Sequence, residues 1–141
     1  MKPQQPNIAY CIEHKDWLVT LRARYGEWQE GDRTLIEEEL IVVHTVGCDG
    51  LGYRLRGIDM YVFHSDDMTI WLPSEGDVLA MLEARGYNDL RIVTTTHWPG
   101  RPLTECYLVI VDPLVECKPR AYGVTRLIAL LELLRAVEEK G

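Results

Sequence analysis

Near its C-terminal end the chain places Leu127, Leu130, Leu131, Leu134 and Val137 at helical spacing, and this stripe constrains the fold more than any other feature. Steps of three and four residues put these side chains on one face of a helix over 124–139. Ile128 and Leu133 widen the apolar arc past what one sheet usually covers. Such a helix is either deeply buried or keeps part of its surface for a partner.

The residues before it supply surfaces for the helix to cover. Ser74 is followed three residues later by Asp77, a capping-box pattern with Asp in place of the usual Glu or Gln. Val78, Leu79, Met81 and Leu82 then give an apolar helical face, and Gly86 supplies a stop. Residues 90–96 are rich in β-branched side chains, HWPGRP reads as a turn, and 105–111 is apolar on both faces, as a central strand requires. Asp112-Pro113 ends that strand. The C-terminal half therefore reads strand, helix, strand, strand, helix.

The N-terminal half reads as β-rich. The stretch MKPQQPN, with two prolines and no apolar run, is expected to be a flexible arm over 1–8. Trp17, Val19, Leu21, Ala23 and Tyr25 alternate with Thr20, Arg22 and Arg24, which predicts a half-buried strand. In 34–46, TLIEEELIVVHTV, the glutamates favour helix and the β-branched end favours strand; a strand is expected over 39–46. GCDGLG reads as a connection to a strand at 53–56, and 60–64 with 68–72 read as a hairpin turning at Ser65, Asp66 and Asp67. The expectation is one α+β domain over 1–141, with a mostly antiparallel sheet and two main helices in the C-terminal βαββα half.

At 141 residues, 47% apolar and 26% charged, the chain is long enough for one core and too hydrophobic for a disordered tail. Its longest apolar stretches fall far short of the roughly 20 residues a membrane helix needs, and no secretory signal opens it, so a cytoplasmic location is expected. In that reducing compartment Cys11, Cys48, Cys106 and Cys117 should be free and mostly buried. The formal charge of −7 opposes attraction to phosphate backbones, so no direct nucleic-acid partner is expected. Eleven arginines against four lysines, with only two Asn and three Gln, lean towards a thermophilic source.

No constellation supports catalysis, metal binding or a cofactor. Cys11-x-x-His14 and His44-x-x-x-Cys48 lack zinc-knuckle spacing, and core thiols with surface imidazoles account for the same residues. The run His64-Ser65-Asp66-Asp67 has triad residue types, but neighbours on a strand point to opposite faces. His97 and Cys106 flank a turn whose register keeps them apart. Gly47, Gly50 and Gly52 precede a strand, whereas a phosphate loop needs a helix N-terminus there. Glu37, Glu38 and Glu39 read as a solvated face.

Binding residues are easier to nominate. Trp28 and Trp98 lie in polar turns, GEWQEGD and HWPGR, and tryptophan beside arginine is typical of interface hot spots. The plainer alternative is that each indole folds back over the sheet as a lid. Arg54, Arg56 and Arg101 are placed to frame a partner's carboxylate.

The segments WLPSEGDVLAMLEARGY, LRIVTTTHWPG, TECYLVIVDP and AYGVTRLIALLELLRAV resemble the strand, helix, two strands and helix of small bacteriophage sandwich domains. In length, mass and composition the whole chain resembles the small RNA-polymerase-binding transcription regulators of Thermus bacteriophages. That resemblance implies a non-enzymatic protein that docks on the flap of the host polymerase β subunit and on the σ region reading the −35 element. It would shift promoter use and oppose termination. A phage domain of other role, in assembly or host-enzyme inhibition, and an enzyme with an unrecognised site are the alternatives.

Overall fold

The computed structural model describes residues 5–26, 28–36, 39–63, 70–87, 90–101, 105–111 and 120–140. The fold is α+β with antiparallel sheets, as expected. The chain divides into two compact units, one formed by Met1–Asn7 with Ser74–Gly141 and the other by Ile8–Pro73, so the division falls within the first helix, α1 (Gln5–Glu13). Among the described residues no helix is long and apolar enough to cross a membrane.

The unit spanning 8–73 contains α2 (Lys15–Arg24) and a five-stranded sheet. Its strands are β1 (Arg33–Ile36), β2 (Glu39–Val46), β3 (Gly50–Leu55), β4 (Ile58–Phe63) and β5 (Ile70–Leu72), in the order β4-β3-β2-β1-β5. Ile41, Val43, Leu51, Tyr53 and Val62 form a buried cluster in this sheet, with Trp28, Val46 and Leu55 partly buried against it.

Three expectations change here. Residues 17–24 are helical: Leu18 and Leu21, three apart, are fully buried while Val19 is exposed, a helical pattern that the alternation of Trp17, Val19 and Leu21 masked. Arg22 is buried on the same side. Its Nε donates to Asp32 Oδ2 at 3.1 Å, its guanidinium lies 5.1 Å from the Trp71 ring centroid, and the Gln29 N–H donates to the same Asp32 oxygen at 2.9 Å. Helix α1 begins at Gln5, inside the expected arm; residues 1–4 lie outside the described set. Finally, β4 and β5 do not form a hairpin, because β4 pairs with β3 and β5 pairs with β1 at the opposite edge. The turn placed at 65–67 lies outside the described residues.

The other unit contains α3 (Glu75–Ala84), β6 (Leu90–Thr95), β7 (Cys106–Val111), β8 (Arg120–Gly123) and α4 (Arg126–Lys140). The three strands pair antiparallel in the order β6-β7-β8, so β7 is central as its apolar sequence requires. The expected order helix, strand, strand, helix holds with the short β8 added before α4, but the strand expected to open the βαββα half, β5, belongs to the other sheet, where it pairs with β1. The α3 start is a complete capping box, Ser74 Oγ accepting from Asp77 N–H and Asp77 Oδ2 accepting from Ser74 N–H. Its end is a Schellman turn: Gly86, at φ 90°, donates to Glu83 O and Tyr87 donates to Leu82 O. Thr125 starts α4 by accepting from the Ile128 N–H at 3.1 Å, and its hydroxyl donates to Asn7 Oδ1.

Helix α4 packs against β7, β8 and α3, which settles why its apolar arc is so wide. Leu130, Leu131, Leu133 and Leu134 are all fully buried, and Ile128 nearly so. The approach is close at Gly123, where an added Cβ would lie 2.3 Å from the Ala129 backbone nitrogen. Gly123→Ala should therefore overpack the junction and cost about 1–3 kcal/mol in urea unfolding; an unchanged midpoint would mean the junction yields easily. Asp32→Ala, which strips a buried guanidinium of its carboxylate, should cost about 3 kcal/mol in the same measurement.

Candidate binding face on the three-stranded sheet

The register of β6, β7 and β8 sorts their side chains onto two faces. Ile92, Val109 and Ala121 lie opposite one another in one row, with Tyr107 beside Gly123 in the next, and this is the face that meets α4. Val109 on it is fully buried. The opposite face carries the row Arg91, Ile110, Arg120 and the row Val93, Leu108, Tyr122. Val93 is exposed, Leu108, Ile110 and Tyr122 are half-buried, and both arginines are exposed. Cys106, opposite Thr95, closes this face at one end and is buried.

The loop after β6 adds an aromatic to the second face. In Trp98-Pro99-Gly100-Arg101 the Arg101 N–H donates to Trp98 O at 3.0 Å and Gly100 has φ 80°. That is a type II turn, in which proline presets the first central position and glycine takes the left-handed second one. The turn folds the chain back so that the Arg101 guanidinium carbon sits 3.9 Å from the Trp98 ring centroid. The indole also stacks on Tyr122, with ring centroids 5.9 Å apart and planes 17° apart. Arginine, tryptophan and tyrosine thus form one contiguous cluster centred on the indole. Stacked aromatic pairs contribute about 0.5–1.5 kcal/mol beyond their area, and an exposed cation over a ring about 0.5–1. Both contacts favour holding the indole in one orientation.

Arg91, Arg101 and Arg120 give this face a positive rim in a chain of formal charge −7. Among the described residues no carboxylate forms an ion pair with any of them.

The other residues nominated from sequence lie in the second unit, and the structure does not gather them together. Trp28 is half-buried against the sheet cluster, as the lid alternative describes, and lines a groove of about 410 Å³ with Arg22, Val46 and Cys48. Arg54 is exposed and donates from Nε to Asp59 Oδ1 at 3.0 Å, its own neighbour across the β3–β4 hairpin. The pair borders a depression of about 440 Å³ beside His44 and Tyr61. Arg56 occupies the tip of that hairpin at φ 54° with Gly57 at φ 81°, a type I′ turn.

Sequence reasoning missed Tyr122, Arg91 and Arg120. Strand alternation alone would have put Arg91 and Val93 on one face, but Tyr122 joins them only through the pairing of β8 with β7. The glycine segment also proves different from a loose connection. Gly50 and Gly52 lie within β3, where a Cβ on Gly50 would meet Val62 O at 2.2 Å, so close strand approach explains the glycine.

Among the described residues no three His, Cys, Asp or Glu side chains are placed to share a metal ion. Cys11 and Cys106 are buried and Cys48 is exposed, all three as free thiols; Cys117 lies outside the described residues. Burial pushes the Cys11 thiol up to about 12, partly opposed by the nearby Arg33 charge. A thiol with that ionisation holds its proton at neutral pH and is a poor nucleophile. Maleimide at neutral pH should therefore label Cys48 well before Cys11 or Cys106, read by peptide mapping; early labelling of Cys11 would contradict its burial.

No family model, curated protein or solved structure matches the chain.

Proposed function

We propose that the chain is a non-catalytic binding protein that docks a protein partner on the open face of the β6-β7-β8 sheet. The observation that carries this reading is the Arg101–Trp98–Tyr122 cluster on a sheet face that also carries Val93, Leu108 and Ile110 between Arg91 and Arg120. A held indole beside an apolar patch provides contact area without much ordering cost, and aromatic and arginine residues dominate interface energetics. The arginine rim favours a partner whose apolar centre is edged by carboxylates. A nucleic-acid strand fits less well, since three arginines would have to outweigh the long-range repulsion of a chain of charge −7.

The partner we propose is a bacterial RNA polymerase, engaged at the β-subunit flap and at the σ region that reads the −35 element. The support for it is the resemblance of the chain to phage regulators of that kind. Binding that favours one arrangement of σ on the flap over another would change promoter choice by the difference in affinity for the two arrangements, and elongation complexes would resist termination by the same logic.

The test is binding of the full chain to purified polymerase core and holoenzyme, with Trp98→Ala and Arg101→Ala alongside. Trp98→Ala should weaken binding by about 30-fold or more, which corresponds to roughly 2 kcal/mol, and Arg101→Ala by a smaller factor, with both melting temperatures close to that of the parent. Failure of the parent chain to bind either form would remove polymerase as the partner. Binding that survives Trp98→Ala at full strength would remove this face as the contact.

A further inference from the structure

Strand β4 ends the five-stranded sheet, and among the described residues no strand pairs with its outer side. Its backbone pattern follows from the turn before it. Arg56 and Gly57, both at positive φ, form a two-residue hairpin loop, so the flanking Leu55 and Ile58 are a hydrogen-bonded pair. Alternation then makes Tyr53–Met60 and Leu51–Val62 hydrogen-bonded pairs as well. The pairs between them, Arg54–Asp59, Gly52–Tyr61 and Gly50–Phe63, are not. The N–H and C=O groups of Asp59, Tyr61 and Phe63 therefore point outward along the sheet edge.

Natural sheets blunt such an edge with lysine, proline, a bulge or a very short strand. At the opposite edge β5 is three residues long, and its Trp71 and Leu72 are buried. Strand β4, IDMYVF, has none of these devices. Ile58 is 63% exposed, Phe63 57%, and Met60 and Tyr61 43% each. Its one charge, Asp59, is already paired with Arg54 inside the sheet. The Tyr61 and Phe63 rings meet edge to face at 5.5 Å, and the Tyr61 hydroxyl donates to Asp49. That bond, lost if the phenol ionises, holds the Tyr61 pKa up at about 12. Both aromatic side chains are thus already ordered, which lowers the entropy lost when the edge is covered.

We propose that β4 is a homodimer edge, pairing antiparallel with β4 of a second copy about a two-fold axis at Tyr61. In that register Tyr61 exchanges two backbone hydrogen bonds with the partner's Tyr61. Asp59 does the same with the partner's Phe63, and Phe63 with the partner's Asp59, so every outward group finds a mate. The two sheets join into one continuous sheet, a self-complementary arrangement of the kind that two-fold symmetry requires. The strand sequence favours a second copy in this antiparallel sense. It keeps the two Asp59 carboxylates about 13 Å apart at the strand rise, and it sets each beside an apolar residue that has no charge to repel it. The remaining opposition is long-range repulsion between two chains of charge −7, which salt screens. The dimer therefore strengthens as ionic strength rises.

Sedimentation velocity on the full chain, across a concentration series at low and high salt, tests this. The expected mass moves from 16.2 kDa towards twice that value with concentration, and does so at lower concentration in high salt. Phe63→Lys and, separately, Ile58→Lys should each weaken dimerisation at least tenfold while leaving the melting transition in place. Hydrogen exchange on the unsubstituted chain gives a readout that needs no variant: the Tyr61 and Phe63 amides should exchange faster on dilution. A chain that stays monomeric at every concentration and salt would overturn the proposal. So would a dimer indifferent to both substitutions whose β4 amides ignore dilution. Protection of β4 in a monomeric chain only when another protein is added would assign the edge to a foreign strand and equally overturn it.

Discussion

The contact on which the C-terminal unit depends is the close approach of α4 to the sheet at Gly123. An added Cβ there would lie within 2.3 Å of the Ala129 nitrogen, so helix backbone and strand backbone nearly touch. Such an approach lets the leucines of α4 reach β7 and β8 on one side and α3 on the other. It also commits α4 to a single face of the sheet. The row Val93, Leu108, Tyr122 faces away from that helix, and its apolar character is what makes the face a candidate for a partner.

The same economy appears in the other unit. The Arg22–Asp32 pair is buried beside Trp71, a polar contact whose members stabilise one another only while both are present. Gly50 lets β3 and β4 lie close, with the Tyr61 ring beside it, and Gly52 makes room for Thr45 of β2. The result is a sheet finished on its β5 side and unfinished on its β4 side. Each unit thus presents a surface that the described residues cover only in part, a half-buried aromatic face in one and a strand edge in the other.

Local signals in the sequence were the ones that survived. Ser74 with Asp77, Gly86 after α3, the strand over 39–46 and the Trp-Pro-Gly-Arg turn are each fixed by a few neighbouring residues, and all are present. What failed depended on distant partners. Residues 15–24 carry alternation and helical spacing together, and burial of Leu18 with Arg22 decides for helix. The two strands expected as a hairpin are instead separated by three others, a choice of pairing that no local pattern encodes. For the candidate face, Trp98 and Arg101 were legible because one turn joins them. Tyr122 was not, since it reaches the indole only through β8, a four-residue strand lacking its own periodicity.

The proposed docking surface is the side of the β6-β7-β8 sheet turned away from α4. Hydrogen exchange of the full chain, free and in complex with bacterial RNA polymerase holoenzyme, tests it most directly. Exchange at 90–101 and 120–123 should slow in the complex, with α4 unchanged. Slowing confined to other segments, with those two stretches exchanging as in the free chain, would contradict it.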